Sequence, residues 1–170
     1  MITVIDNFLP PSYHQGLCQL LASDQFPWYY ANGVTGHGDG DFFFTHNVFR
    51  KSEGGPNSDF WNEFKPMLFL IEEKLKFRTS ELLRIKCNLY TNQNTHLAHK
   101  AHTDFEVPHY TALYYVNTNN GPTTIGGKNV EAVENRLLFF EGSEIHNSNL
   151  QTDTNVRINV NINIQGEFYT

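Results

Sequence analysis

The sequence predicts an α+β domain, with helices first and a sheet or barrel after them. Three observations carry that expectation. Apolar residues recur at helical spacing in two stretches before residue 76. From Leu82 onward, short β-type runs are separated by clusters of turn residues. The last of these runs, residues 156–164, alternates apolar and polar side chains without a break.

Taken in order, Ile2-Thr3-Val4-Ile5 reads as a short strand. Pro10 and Pro11 favour a helix start, and Leu17, Leu20 and Leu21 keep helical spacing to about residue 23. Residues 31–57 are rich in glycine and polar groups around Phe42-Phe43-Phe44, which predicts a long surface excursion with one short strand. Asn57 or Ser58 is placed to cap the next helix, which runs to about Lys74. Its Phe60, Trp61, Phe64, Met67, Leu68, Ile71 and Leu75 share one face, and Pro66 predicts a kink or two abutting helices. The β-type runs are 83–90, 100–105, 110–117, 136–141 and 155–164. One domain over 1–170 is expected, with helical support roughly over 9–76 and a barrel core roughly over 82–165.

In the last run, Val156, Ile158, Val160, Ile162 and Ile164 share one face, because successive strand side chains point to opposite sides. Arg157, Asn159, Asn161 and Asn163 share the other. The apolar face needs the helices as cover. The polar face points either to bulk water or into a wet interior.

Composition narrows the function classes. With 39% hydrophobic and 14% aromatic residues, the chain is too apolar to be disordered. A net charge of −6 argues against a sequence-independent nucleic-acid clamp. Cys18 and Cys87 are far apart and in no C-x-x-C pattern, which predicts free thiols. The N-terminal stretch lacks the features of a signal peptide, and no apolar run is long enough for a membrane span. The expectation is a soluble, cytoplasmic protein with no nucleic-acid or membrane partner.

His102-Thr103-Asp104 puts an imidazole and a carboxylate two residues apart, on one side of a strand. His146 follows the run at Leu137–Phe140, and Arg157 lies on the polar face of the last run. Two His and one carboxylate leave metal positions open, which is the ligand set of non-haem Fe(II) oxygenases. Zinc would more often complete a tetrahedron for hydrolysis or structure. An inward Arg157 has a role if a dicarboxylate chelates the metal at one end and leaves its other carboxylate to be gripped. A hydrolytic site has no such need.

Residues 82–164 resemble the Fe(II)/2-oxoglutarate-dependent dioxygenase superfamily, in its prolyl-4-hydroxylase-like branch. The resemblance rests on His102-Thr-Asp104, Leu113-Tyr114-Tyr115-Val116-Asn117, Arg136-Leu-Leu-Phe-Phe140, His146 and Arg157. The Phe8-Leu9-Pro10 opening and the Asn117–Gly121 segment are also similar to compact oxygenases of marine bacteriophages, which implies action in a bacterial host's cytoplasm. The resemblance implies a double-stranded β-helix with N-terminal helices packed on its major sheet. It implies Fe(II) as cofactor, 2-oxoglutarate and O2 as cosubstrates, and stimulation by ascorbate. It implies decarboxylation of 2-oxoglutarate to succinate and CO2, coupled to hydroxylation of a C–H bond. By the match, His102, Asp104 and His146 bind the iron and carry catalysis through it. Arg157 grips the distal carboxylate of 2-oxoglutarate, Tyr115 and Tyr90 face the cosubstrate, and Leu113 supplies an apolar wall.

The substrate the branch implies is a prolyl side chain in a protein or peptide; a free amino acid, a nucleobase or a small metabolite is the alternative. The segment after Asn119-Asn120-Gly121 and the short loop 105–109 depart from the family pattern, and both bear on substrate choice. Two rival readings stand beside the oxygenase: a β-helix that binds metal or a small ligand without turnover, and a Zn or Mn cupin-like hydrolase or isomerase. His96 and His99 read as exposed loop histidines, with His99 shaping the substrate mouth. Arg84 and Lys86 share a face with Asn88 and Tyr90, and read as solvated, salt-bridged or site-lining.

Overall fold

The computed structural model describes residues 1–36 and 38–169; His37, within the expected surface excursion, and Thr170 lie outside the described residues. Strand β1 (Ile2–Ile5) leads into helix α1 (Pro11–Leu21). Pro11 stands at the first helical turn, where its missing N–H costs no hydrogen bond. Strands β2 (Tyr29–Ala31) and β3 (Phe43–Arg50) follow, so the excursion is more ordered than one short strand.

The expected long helix is two abutting ones, α2 (Trp61–Phe64) and α3 (Pro66–Leu75). Pro66 opens the second and cannot donate into the first. The proposed caps are elsewhere employed. Asn57 Oδ1 accepts the Arg50 N–H at 2.6 Å, and Ser58 Oγ accepts the Phe60 N–H at 3.1 Å in a turn before Trp61. Lys76 ends α3 in the left-handed region, with φ of 53°.

The remaining strands are β4 (Phe77–Thr91), β5 (Tyr110–Tyr115), β6 (Asn119–Ile125), β7 (Lys128–Ala132), β8 (Arg136–Glu141), β9 (His146–Ser148) and β10 (Val156–Phe168). They form a seven-stranded antiparallel sheet, in order β1-β8-β5-β10-β4-β3-β2, and a three-stranded one, β7-β6-β9. Residues 100–105 are not a strand. Within them only His102 pairs, in a single bridge to His146.

The apolar face of β10 is covered as its alternation requires. Ile158, Val160, Ile162 and Ile164 pack in one cluster with Leu17 and Leu21 of α1, Phe64 of α2, and Met67 and Ile71 of α3. Cys87 is buried in the same cluster, and both cysteines are free. A second cluster joins the two sheets: Leu113 and Tyr115 of β5 and Leu138 and Phe140 of β8 meet Ile125 of β6 and Ala132 of β7. The architecture is a double-stranded β-helix with helices against the outer face of its larger sheet. Among the described residues no helix is long and apolar enough to cross a membrane.

Candidate active site

The inner face of the larger sheet is a polar grid. In the β10–β4 register Arg157 lies opposite Tyr90, Asn159 opposite Asn88, Asn161 opposite Lys86, and Asn163 opposite Arg84. On the other side of β10, Asn161 lies opposite Leu113 and Asn163 opposite Thr111. Arg157 and Asn163 are fully buried and Asn159 and Asn161 nearly so, so the polar face of β10 lines an interior.

The smaller sheet contributes the histidines. His146 opens β9, next to Ile125 of β6. On its free edge the backbones of His102 and His146 exchange both hydrogen bonds, at 2.9 and 3.0 Å. This one bridge replaces the strand expected over 100–105 and sets the two imidazoles side by side, ring centroids 4.8 Å apart. Each Nδ1 lies near a backbone carbonyl two residues earlier, that of Lys100 for His102 at 3.2 Å and that of Glu144 for His146 at 3.0 Å. With Nδ1–H so engaged, each Nε2 keeps its lone pair for a metal.

Asp104 crosses to the larger sheet. Its Oδ1 accepts from Arg84 Nη2 at 2.7 Å, and its Oδ2 accepts from the amides of Asn161 at 3.1 Å and Asn163 at 3.0 Å. Burial alone would raise its pKa, but Arg84, His146 and Lys86 together hold the carboxyl below the usual carboxylate range, so it stays ionised. One ligand atom from each of His102, Asp104 and His146 lies within 4.8 Å of the others. Burial, and then the neighbouring His146, lower the His102 pKa and keep that ring neutral, as a metal ligand must be. The donor set and its spacing fit a divalent metal with open positions.

Farther along the cavity, Arg157 Nε donates to the Gly121 carbonyl at 3.0 Å and Nη2 donates to Thr123 Oγ1 at 3.1 Å. Its Nη1 is buried without a hydrogen-bond partner. An unpaired guanidinium nitrogen in a fully buried site is costly unless something anionic meets it. Gly121 must be glycine here, since a Cβ would come within 2.6 Å of the Asn149 carbonyl oxygen. The Arg157 guanidinium lies over the Tyr90 ring at 5.3 Å, and Tyr90 stacks on Phe43 and on His99.

The cavity between these groups is narrow, about 50 Å³. His102, Asp104, His146, Arg157, Tyr90 and Leu113 all line it. Tyr115 does not reach its surface. It lies behind the wall on the inner side, and its hydroxyl donates to Thr123 Oγ1 at 2.7 Å, so it touches the cavity through Thr123. Tyr114 points the opposite way, with its hydroxyl 2.6 Å from His14 Nδ1.

Sequence reasoning missed Thr123, although β6 alternates buried and less buried residues from Asn119 to Ile125. It also read His99 as exposed. His99 is buried, with its Nδ1 2.8 Å from Ser148 Oγ, because residues 98–102 run along β9. His96 is exposed, as expected.

No protein-family model matches the chain, and no curated protein matches it in sequence. Solved structures do match. A prolyl-4-hydroxylase of Pseudomonas putida superposes with a TM-score of 0.65 at 16% identity, covering 96% of this chain and 92% of that one. A Trichoplax adhaerens prolyl hydroxylase, in complex with a hypoxia inducible factor oxygen degradation domain peptide, gives 0.62 at 16% identity, with 96% and 82% covered. The epimerase SnoN of nogalamycin biosynthesis, in complex with Fe3+, alpha ketoglutarate and nogalamycin RO, gives 0.64 at 14% identity, with 96% and 78% covered. At these identities the likeness establishes the fold, a double-stranded β-helix shared with 2-oxoglutarate/Fe(II) oxygenases.

Proposed function

We propose that this chain is an Fe(II)- and 2-oxoglutarate-dependent oxygenase that hydroxylates a C–H bond. The observation that carries this reading is the unpaired Nη1 of buried Arg157, in one cavity with a His-Asp-His ligand set. A hydrolytic metal site gives that nitrogen no partner; a diacid held at one end by the metal does.

In this reading His102 and His146 present Nε2 and Asp104 presents a carboxylate oxygen to Fe(II). Arg84, Asn161 and Asn163 fix the Asp104 carboxylate and keep it charged. Arg157 receives the distal carboxylate of 2-oxoglutarate, Thr123 and the Gly121 carbonyl aim the guanidinium, and Tyr115 fixes Thr123. Tyr90 flanks the diacid and Leu113 walls its methylene chain. The bound iron and cosubstrate supply the oxidising chemistry, in which 2-oxoglutarate loses CO2 to become succinate as O2 is consumed. A prolyl ring, in a peptide or as the free imino acid, is the first carbon skeleton to try, since two of the fold's matches are prolyl hydroxylases.

The test is 2-oxoglutarate turnover. Succinate should form with Fe(II) and air, stop under nitrogen or with a chelator, and rise with a substrate that gains one oxygen by mass spectrometry. Metal binding without any succinate formation would defeat the reading in favour of a binding module.

A further inference from the structure

Among the cations lining the cavity, Lys86 feels the Asp104 charge at a distance but makes no direct ion pair or side-chain hydrogen bond among the described residues. On the same face of β4 lie Arg84, which holds Asp104, then Asn88, and beyond it Tyr90, which lies against Arg157. If the proposed function holds, the two carboxylates of 2-oxoglutarate meet the iron and Arg157, and Asp104 meets Arg84 and the iron. Lys86 is then a surplus cation. Among the described residues it forms no salt bridge, and its Nζ sits 5.3 Å from the centre of the Phe43 ring, the side of the cavity where Val34 also lies. Burial first, and Arg84 next, pull its pKa down to about 7, a cost that an arriving anion would remove.

Two further groups beside Lys86 lack partners. Asn161, opposite Lys86 on β10, uses its amide nitrogen on Asp104 and leaves Oδ1 unbonded. Asn88, two residues from Lys86 on β4, donates to Asn159 at 2.8 Å and leaves its own Oδ1 unbonded. Both oxygens are buried, both side chains line the cavity, and both accept hydrogen bonds only. An ammonium-type cation flanked by two acceptors is complementary to a ligand that carries a carboxylate and an N–H donor close together.

We propose that Lys86, Asn88 and Asn161 recognise the carboxylate and amine of the prime substrate, so that the substrate is a free α-amino or α-imino acid rather than a residue within a chain. This rests on the oxygenase reading and names its substrate class. Lys86 pairs with the carboxylate, and the Oδ1 atoms of Asn88 and Asn161 accept from the amine. An internal peptide residue offers neither group, because both are consumed in amide bonds.

The experiment loads the protein with Fe(II) and 2-oxoglutarate under nitrogen and follows the visible band of the chelate. Each proteinogenic amino acid, its carboxamide, and a proline-containing peptide are titrated in turn. At least one free acid should perturb the band at a concentration ten- to a hundredfold below its carboxamide, the usual worth of a charged pair. Lys86→Met should abolish that preference while the 2-oxoglutarate requirement stays within twofold, and Lys86→Arg should restore part of it. The inference is overturned if no free amino acid perturbs the band, if acids and carboxamides act alike, if the peptide alone acts, or if Lys86→Met raises the 2-oxoglutarate requirement instead. Absence of any chelate band in the unaltered protein would strike the oxygenase reading itself, whereas a normal band with no acid preference strikes only this inference.

Discussion

The two faces of β10 solve opposite problems with one stretch of backbone. On the outer face Ile158, Val160, Ile162 and Ile164 are buried against three helices and need no partner more specific than another apolar surface. On the inner face Arg157, Asn159, Asn161 and Asn163 are buried almost as deeply, and each has to be paired. Most of that pairing is supplied by the fold: Asn163 alone contacts Arg84, Asp104 and Thr111. The atoms the fold leaves unpaired include Arg157 Nη1 and the Oδ1 atoms of Asn88 and Asn161, and all three of these side chains line the cavity. The outer face thus carries stability, and the inner face spends some of it on waiting for ligands.

The comparison breaks most sharply at Asp104. Asp104→Ala should abolish iron binding by direct metal analysis, and should leave the buried Arg84 without its carboxylate partner. Iron retained at full stoichiometry would show that the inner face is not a metal site. On the outer face, Ile162→Ala should lower unfolding free energy by about 2–5 kcal/mol in urea melts, with the iron content of the folded fraction unchanged. A lost metal site in that variant would mean the two faces are not separable.

Smaller effects sharpen the boundary. Arg84→Met should weaken metal binding by roughly ten- to a hundredfold without removing any ligand, because it loosens the Asp104 carboxylate. Lys86 gives a pH signature. Its folded pKa of about 7 lies below its usual 10.5, so between those values the unfolded chain holds the extra proton. Metal-free protein should therefore gain stability relative to Lys86→Met as pH rises from about 7 toward 10.5, and lag it most below pH 7. Parallel stability curves would mean that the Lys86 charge is not desolvated. Tyr115→Phe should have the mildest outcome, a roughly two- to tenfold higher 2-oxoglutarate requirement with metal affinity intact, since it removes one hydrogen bond behind Thr123.

The same contrast explains how far the sequence could be read. The faces of β10 follow from its period-two alternation, and Pro66 marks the break between α2 and α3. Strand β3 was obscured for a physical reason: its pairing with β4 shifts between Asn47 and Phe49, which interrupts the alternation that would reveal a strand. The convergence of His102 and His146 depends on a single backbone bridge between distant segments, and no local pattern encodes it. His102 and Asp104 were expected to meet by lying on one strand; they meet because a bridge holds one and Arg84, Asn161 and Asn163 hold the other. The burial of His99 depends on the same long-range path beside β9. The choice between solvated and site-lining roles for Arg84 and Lys86 likewise needed to show which strands lay across the cavity.

The central claim is that a metal at the His-Asp-His cluster and a guanidinium at Arg157 grip the two ends of one diacid. Anaerobic titration of the protein with Fe(II) and 2-oxoglutarate, read by visible absorption, tests it most directly. The account predicts a charge-transfer band that disappears in His102→Ala and Asp104→Ala and that persists in Arg157→Ala only at roughly a hundredfold more 2-oxoglutarate. A band retained in both ligand variants, or an unchanged 2-oxoglutarate requirement in Arg157→Ala, would contradict it.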